Sequence, residues 1–360
     1  EQDPRLIWRR FAAHYHLFRG TPSAMWLDHS FEHLFGIDDV LSTDTADAYY
    51  DHIDDCLGQD AFRPRALFER FNVEVLATTD AATDDLRWHQ QLRDSGWDGR
   101  IVTTYRPDAA IDPDFPGFAD TLARLGEITG EDTSSWAGYL AAHRARRAYF
   151  KSFGATATDH GHASARTADL LRADAETLFA KAVAGTCTPE EADLFRGQML
   201  TEMARMSLDD GLVMQIHAGS RRNHNADIFA RHGRDMGFDI PGRTDYVEGL
   251  KPLLNTVGLE AGLTIILFTL DETVYGRELA PLAGVYPSLR LGPPWWFFDS
   301  FEGISKFRRA VTETCGFYNT AGFNDDTRAF CSIPARHDVA RRSDCAYLAE
   351  LVGTGRMREA

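Results

Sequence analysis

Cysteine is sparse and scattered in this chain. Its five residues, Cys56, Cys187, Cys315, Cys331 and Cys345, show no CxxC or CxxH spacing. That pattern excludes a cysteine-built zinc site and a disulfide scaffold, and points to a reduced, cytoplasmic protein. Long apolar runs are missing as well. The longest, Leu263 to Leu270, is eight residues, against about 20 for a bilayer-spanning helix, so no membrane helix is expected. Positive charge is short: 38 Lys plus Arg face 54 Asp plus Glu, a formal net charge of −16. A nucleic-acid binder needs a basic face to displace counterions from phosphates, so that class of partner is excluded. The N-terminal stretch EQDPRLIWRR lacks the apolar core of a secretory signal. There is no fixed-period repeat, no low-complexity tract and no Ser/Gly-rich linker. No GxGxxG turn follows the first β-rich run, which ends Thr78-Thr79-Asp80. This weighs against a nucleotide-binding open sheet.

What is present is ordinary globular material: 360 residues, 44% hydrophobic and 26% charged, enough for one large domain or two average ones. The first seventy residues read as helix only. Leu6, Ile7, Phe11, Tyr15 and Leu17 follow Pro4 at near-helical spacing, and Gly20-Thr21-Pro22-Ser23 breaks the pattern. A second helix runs through Trp26, Leu27, Phe31, Leu34 and Phe35 to Gly36. A third follows Ser42 or Thr45 as N-cap, and Pro64 opens a fourth. Then the texture changes. Seven short β-rich runs appear: Val73 to Thr79, Ile101 to Tyr105, Ala155 to Thr158, Leu212 to His217, Leu263 to Leu270, Ser288 to Leu291 and Phe317 to Phe323. Helical stretches lie between them, such as Asp84 to Ser95, Ala168 to Ala184, Pro189 to Ser207, Thr244 to Val257 and Gly303 to Thr314. This alternation predicts βαβ units and a parallel sheet. Polar residues gather where each run ends, which suits a barrel with its chemistry at the C-terminal mouth; a closed barrel of that type has eight strands.

Side chains alternate along a strand, so residues two apart share a face. In Leu212 to His217 this turns Met214 and Ile216 toward the helices and Gln215 and His217 inward. A polar inward residue at a strand end reads as site chemistry, with a hydrogen-bonded core histidine as the alternative. Arg106, held extended by Pro107, could clamp a carboxylate bidentately or pair with Asp108 or Asp112. In Asn324-Asp325-Asp326-Thr327-Arg328, extended geometry would put Asp326 and Arg328 on one side: a metal ligand or base beside an oxyanion-stabilising guanidinium, or a surface ion pair. Asn223, in the Arg221-Arg222-Asn223-His224-Asn225 stretch after His217, is a candidate substrate contact. The cluster Trp295-Trp296-Phe297-Phe298 could wall a sugar or pack in the core. Of two His-x-His pairs, His14 and His16 lie on a helix about 200° apart and cannot share an ion. His160 and His162 could chelate one, or could flank a glycine turn at Gly161.

These segments in order, WLDHSFEHLFGI, FRPRALFERFNVEVLATTD, TTYRPD, GATATDHGH, QIHAGSRRNHN, FTLDETVYGRELAPLAG, LGPPWWFFDSFEG and GFNDDTRAF, resemble the uronate (glucuronate) isomerase family of the amidohydrolase superfamily. The resemblance covers most of the chain. It implies a (β/α)8 TIM-type barrel with a helical insertion after strand one, here residues 1–70, followed by strands two to eight in residues 71–360. It also implies an intramolecular oxidoreductase that interconverts D-glucuronate with D-fructuronate and D-galacturonate with D-tagaturonate through a cis-enediol. Carried over by motif, Asp326 binds a divalent metal, with zinc expected, and shuttles the proton. Arg328 stabilises the enediolate and Arg106 holds the C6 carboxylate. His217 lines the pocket, and Trp296 and Trp295 lie along the sugar. A soluble homo-oligomer acting on a small hexuronate, with no nucleic-acid or membrane partner, is the expectation. The family's first-strand His-x-His metal ligands have no counterpart before residue 71. With seven strands in view and no Met at Glu1, the chain reads as an incomplete isomerase. A metal-dependent hydrolase or decarboxylase of the same superfamily and an inactive barrel are the alternatives. The absence of His from Leu263 to Leu270 counts against the hydrolase.

Overall fold

A computed structural model of the protein describes residues 3–327 and 329–358. The chain forms two compact units. One comprises Glu1–Glu74, Asp299–Ser305 and Phe323–Ala360; the other comprises Val75–Phe298 and Lys306–Gly322. Among the described residues no helix is long and apolar enough to cross a membrane.

The first unit is helical. Pro4–His14 starts where the Asp3 carboxylate accepts the backbone N–H groups of Arg5 and Leu6, with proline in the first turn. Pro22–His29 begins in the same manner under Thr21, and Ala46–Leu57 and Pro64–Arg70 follow. Phe31 and Tyr49 meet edge to face at 5.1 Å inside a small core that also holds Ala12, Tyr15 and Leu41. The C-terminal part of the unit carries Ile333–Gly353, 21 residues that start with Pro334 in the first turn.

The second unit is α/β. Its strands are β1 (Leu76–Ala81), β2 (Ile101–Arg106), β3 (Ala157–His160), β4 (Val213–Ala218), β5 (Ser220–Arg221), β6 (Ile240–Pro241), β7 (Ile265–Thr269) and β8 (Leu289–Leu291). A parallel sheet runs β1-β2-β3-β4-β7-β8, while β5 and β6 form a small antiparallel pair. The crossovers carry helices whose ends are set by their own sequence. Pro189–Asp210 begins with a reciprocal cap between Thr188 and Glu191 and ends at Gly211, at φ 76°. Trp136–Ser152 starts under the Ser135 hydroxyl and turns Tyr139, His143, Arg147 and Phe150 inward. Arg147 is fully buried because its guanidinium is matched: Nε and Nη2 donate to Asp210 at 2.6 and 2.9 Å, and Nη2 donates to Ser207 at 2.9 Å.

Seven strands were expected in this sheet; among the described residues there are six. Phe317 to Phe323 is not a strand. Phe317–Asn319 is a 3-10 turn, and Thr320 makes a single parallel bridge to Leu291. Gly316 and Gly322 sit at φ 79° and 75°, and the Asn319 amide donates to the Cys315 carbonyl, so the backbone turns before a ladder can form.

Strand parity divides the second unit's chemistry. Tyr105 stands opposite Thr158 and His160 opposite Ile216. This parity faces the helix layer: the Tyr105 ring meets Phe150 at 5.0 Å, and Met214 and Ile216 lie in the main core. Arg106, Asp159, Gln215 and His217 have the opposite parity and emerge on the other face.

Burial on the helix side has a pH consequence. His143 is fully buried, accepts or donates at Nδ1 to the Tyr105 hydroxyl at 2.7 Å, and has a pKa pushed by burial, with help from Arg147 and Arg144, down to about 3. The folded protein keeps this imidazole neutral, whereas the unfolded chain protonates it below its ordinary value of about 6.5. Its stabilising contribution is therefore complete above pH ~6.5 and is lost as pH falls toward 3, at about 1.4 kcal/mol per unit. Urea unfolding at pH 7 and pH 5 should show a slope in stability that His143→Gln flattens; equal slopes in both proteins would rule this out.

Candidate active site

The ends of β2, β3 and β4 bring together the side chains that parity separates from the core. Arg106 closes β2, and its Nε donates to Asp108 Oδ2 at 2.8 Å while Nη1 lies 3.4 Å from Asp159 Oδ2. The pairing with Asp108 raised as the alternative for Arg106 is thus present, and it coexists with a second carboxylate. Asp159, near the end of β3, spans two partners: its other oxygen is 2.9 Å from His217 Nε2. Burial alone would raise the Asp159 carboxyl, but His217 and then Arg106 outweigh it and hold the pKa at about 2. The result is an ionised carboxylate that fixes a guanidinium on one side and an imidazole on the other.

Gly161 makes this packing possible. A Cβ there would lie 2.6 Å from Arg106 Nη2, 2.6 Å from His217 Cε1 and 3.1 Å from Asp108 Oδ2. Its N–H also donates to the Asp108 carboxylate at 3.2 Å. The backbone thus approaches three functional groups at a distance only glycine permits. On the far side of His217, the Trp295 ring lies 4.7 Å away and is buried.

The other residues singled out above separate in role. Trp296 is partly exposed at φ 38°, stacked near Phe297 and covered by Arg222, whose Cζ is 5.3 Å from the ring centroid. Trp295 is therefore the tryptophan against His217, and Trp296 the one with open surface. Asn223, at φ 53°, is occupied in turn-making: its backbone N–H donates to Asp239 at 2.8 Å and its side-chain oxygen accepts from Asp235 at 3.2 Å. His14 and His16 take no part, and His14 Nδ1 is 2.8 Å from the Arg10 carbonyl.

His160 and His162 fall beside the Arg106 group. Together with Asp108 they offer one ligand atom each, all within 4.8 Å of one another. His160 Nε2 is 3.0 Å from Thr158 Oγ1, whereas His160 Nδ1 and His162 Nε2 are buried without a hydrogen-bond partner. Burial lowers both imidazole pKa values, which keeps the rings neutral, as metal ligands must be. Two neutral nitrogens and a carboxylate oxygen match the donor set of zinc-class divalent ions, so these residues fit a metal by ligand type.

Asp326 belongs to the helical unit. Residues 321–327 have no regular structure and Asp326 sits at φ 47°, so Asp326 is not extended as expected. Arg328 lies outside the described residues. Nearby, burial raises the carboxyls of Asp299 and Asp325; Arg336 opposes this rise, and the charge of Asp326 adds to it.

Strand alternation in the sequence points to His217, and the extended conformation set by Pro107 points to Arg106. Asp159 could have been found by the same rule, because the alignment of ATDH with VMQIH places Asp159 and Gln215 in one row. Asp108 had no comparable signal, since it lies past Pro107 in the short helix Asp108–Ile111.

Comparison with known proteins bears on what such a site does. The family model described as glucuronate isomerase matches residues 3–360. A uronate isomerase of Mesorhizobium japonicum is 67% identical over 359 residues, covering 100% of this chain and 76% of the relative. The crystal structure of glucuronate isomerase from Caulobacter crescentus superposes with a TM-score of 0.97 at 59% identity, covering 99% of this chain and 75% of that one. The uronate isomerase structure from Thermotoga maritima gives 0.94 at 28% identity, with 99% and 79% covered.

Proposed function

Because the chain belongs to the glucuronate isomerase family, we propose that Arg106, Asp159 and His217 form the part of its site that holds the hexuronate. As a uronate isomerase it interconverts aldo- and keto-hexuronates, which requires moving a hydrogen between C2 and C1; we infer that it moves as a proton, through a cis-enediol. The observation that carries the site reading is Asp159 lying between Arg106 and His217 at three adjacent strand ends. A hexuronate is a monoanion, and the Arg106 guanidinium is the cation to meet its C6 carboxylate. His217, oriented through Nε2 by ionised Asp159, is set to exchange hydrogen bonds with a sugar hydroxyl, and Trp295 fixes the plane of its ring. Trp296 offers an aromatic face to the apolar side of the sugar.

Proton transfer is assigned by motif to Asp326, a carboxylate able to take the C2 proton and return it to C1 of a cis-enediol, with Arg328 stabilising the oxygen charge. A divalent ion, with zinc the expected one, would be held by Asp326 on the motif reading. Within the α/β unit, Asp108, His160 and His162 by themselves fit a divalent ion by donor chemistry. When bound, it supplies positive charge to an oxygen of the substrate. The finer fold reading, a (β/α)8 barrel over residues 71–360 with residues 1–70 as a helical insertion, belongs to the same proposal. It is supported by the parallel strand order and by polar side chains at the strands' carboxyl ends.

The test is turnover of D-glucuronate and D-galacturonate followed by proton NMR in D2O. Ketohexuronate should form with deuterium incorporated at carbon. No turnover of either sugar would refute the substrate class, and full retention of the migrating hydrogen would refute proton transfer through an enediol.

A further inference from the structure

We propose that Arg336 is a positioning residue for Asp326, acting through the peptide group that joins Asp325 to it; this rests on the role assigned to Asp326 above. Arg336 comes early in the Ile333–Gly353 helix, and its side chain is nine-tenths buried. Its guanidinium makes four donations around one turn. Nε donates to Asp325 Oδ1 at 2.6 Å and to the Asp325 carbonyl at 3.1 Å. Nη2 donates to the same carbonyl at 2.5 Å and to Asp299 Oδ2 at 2.5 Å. Its flat face lies over the Trp26 indole, with Cζ 4.4 Å from the ring centroid.

The carbonyl held twice belongs to the peptide plane that ends at the Asp326 nitrogen. Fixing that plane leaves rotation about the Asp326 N–Cα bond as the next freedom, and this sits at φ 47°, a left-handed conformation that Asp tolerates better than most L-residues and that the fixed plane helps to enforce. The enforcing group must reach a backbone oxygen and a side-chain oxygen together, which a planar fork does and a point charge does not. Arg336 also answers charge. Asp299 and Asp325 are both largely buried, and Asp326 adds a third carboxylate to their surroundings. His337 Nε2, 3.5 Å from Asp325 Oδ2, stands on the other side of the turn, and its ring meets Phe323 at 5.2 Å. The turn is thus gripped by two consecutive residues of one helix, with Arg336 supplying the directional contacts.

Truncating Arg336 alone would strand buried carboxylates, so two variants of the full chain are needed: Arg336→Lys, and Arg336→Met combined with Asp299→Asn. Each is assayed for folding by circular dichroism and melting, and for kcat and KM with a hexuronate. Positioning predicts that folded protein loses about 10²-fold in kcat with KM within about threefold of the parent, and that lysine recovers less than a tenth of the loss. Parental kcat in the folded double variant would overturn the proposal. So would kcat falling only in proportion to the folded fraction, or loss of the fold in both variants, because each assigns Arg336 to stability alone. Asp326→Asn measured alongside separates the two readings. If that variant is inactive while the Arg336 variants keep parental kcat, positioning fails and the role of Asp326 stands. If it keeps parental activity, the role of Asp326 fails first.

Discussion

Asp326→Asn is expected to lower kcat for the interconversion of D-glucuronate and D-fructuronate by about 10³-fold or more while leaving the melting temperature unchanged or slightly raised. The two halves of this result come from different physics. The amide keeps the shape and hydrogen-bonding reach of the carboxylate but can neither accept the C2 proton nor serve as an anionic ligand. A proton shuttle is worth about 10² to 10⁴ in rate, and an anionic ligand adds to that. Stability is not expected to fall in step with activity, because burial raises the carboxyl pKa values of Asp299 and Asp325 and the charge of Asp326 adds to that rise. Removing one negative charge takes away that contribution. Steady-state kinetics and calorimetry on the same preparation check both parts. Undiminished activity would take Asp326 out of the mechanism.

Asp159→Asn should cost about 10²-fold in kcat/KM with either hexuronate. The carboxylate faces His217 through one oxygen, at 2.9 Å, and Arg106 through the other, at 3.4 Å. An amide presents one oxygen and one NH2, so one of the two cationic or donor partners meets another donor. If the NH2 turns to Arg106, the guanidinium loses a counter-charge and is pulled toward Asp108. If it turns to His217, the imidazole loses the acceptor that selects its orientation. Either outcome displaces a substrate-holding group by a fraction of an ångström in a site packed tightly around Gly161. A variant with parental kcat/KM would show that Asp159 is an ornament of the sheet and not part of the site.

The parallel α/β plan was legible because it is written locally. β-rich runs and helical stretches alternate, and Pro189–Asp210 even announces its start by the Thr188–Glu191 box and its end by Gly211. The face of His217 was legible for a similar reason, since period-two alternation needs only the strand itself. The misread segment, Phe317 to Phe323, has strand-like aromatics, but Gly316 and Gly322 take positive φ there and composition cannot reveal it. Asn223 looked like a free polar group near His217. Its amide closes a turn onto Asp235, 12 residues on, a contact set by the path of the β5–β6 excursion. The grip of Arg336 on Asp299 spans 37 positions. Nothing in either residue's neighbours marks the other, so only the folded chain brings the pair into view.

The two parities of β3 have a consequence for how this protein can fail. Asp159 and His160 are adjacent in the chain and leave the strand on opposite faces, Asp159 toward Arg106 and His217 and His160 toward Thr158 and the Asp108–His162 pair. A slip of one residue, by deletion or by mispairing, would exchange them and drive a carboxylate in among Tyr105, Met214 and Ile216. Such a chain would not be a poor catalyst with altered selectivity; it would not fold, because an unpaired anion in hydrocarbon costs more than a domain's margin of stability. The strand therefore behaves as a reading frame. A frame error here is expected to yield misfolded protein and not an enzyme of altered selectivity.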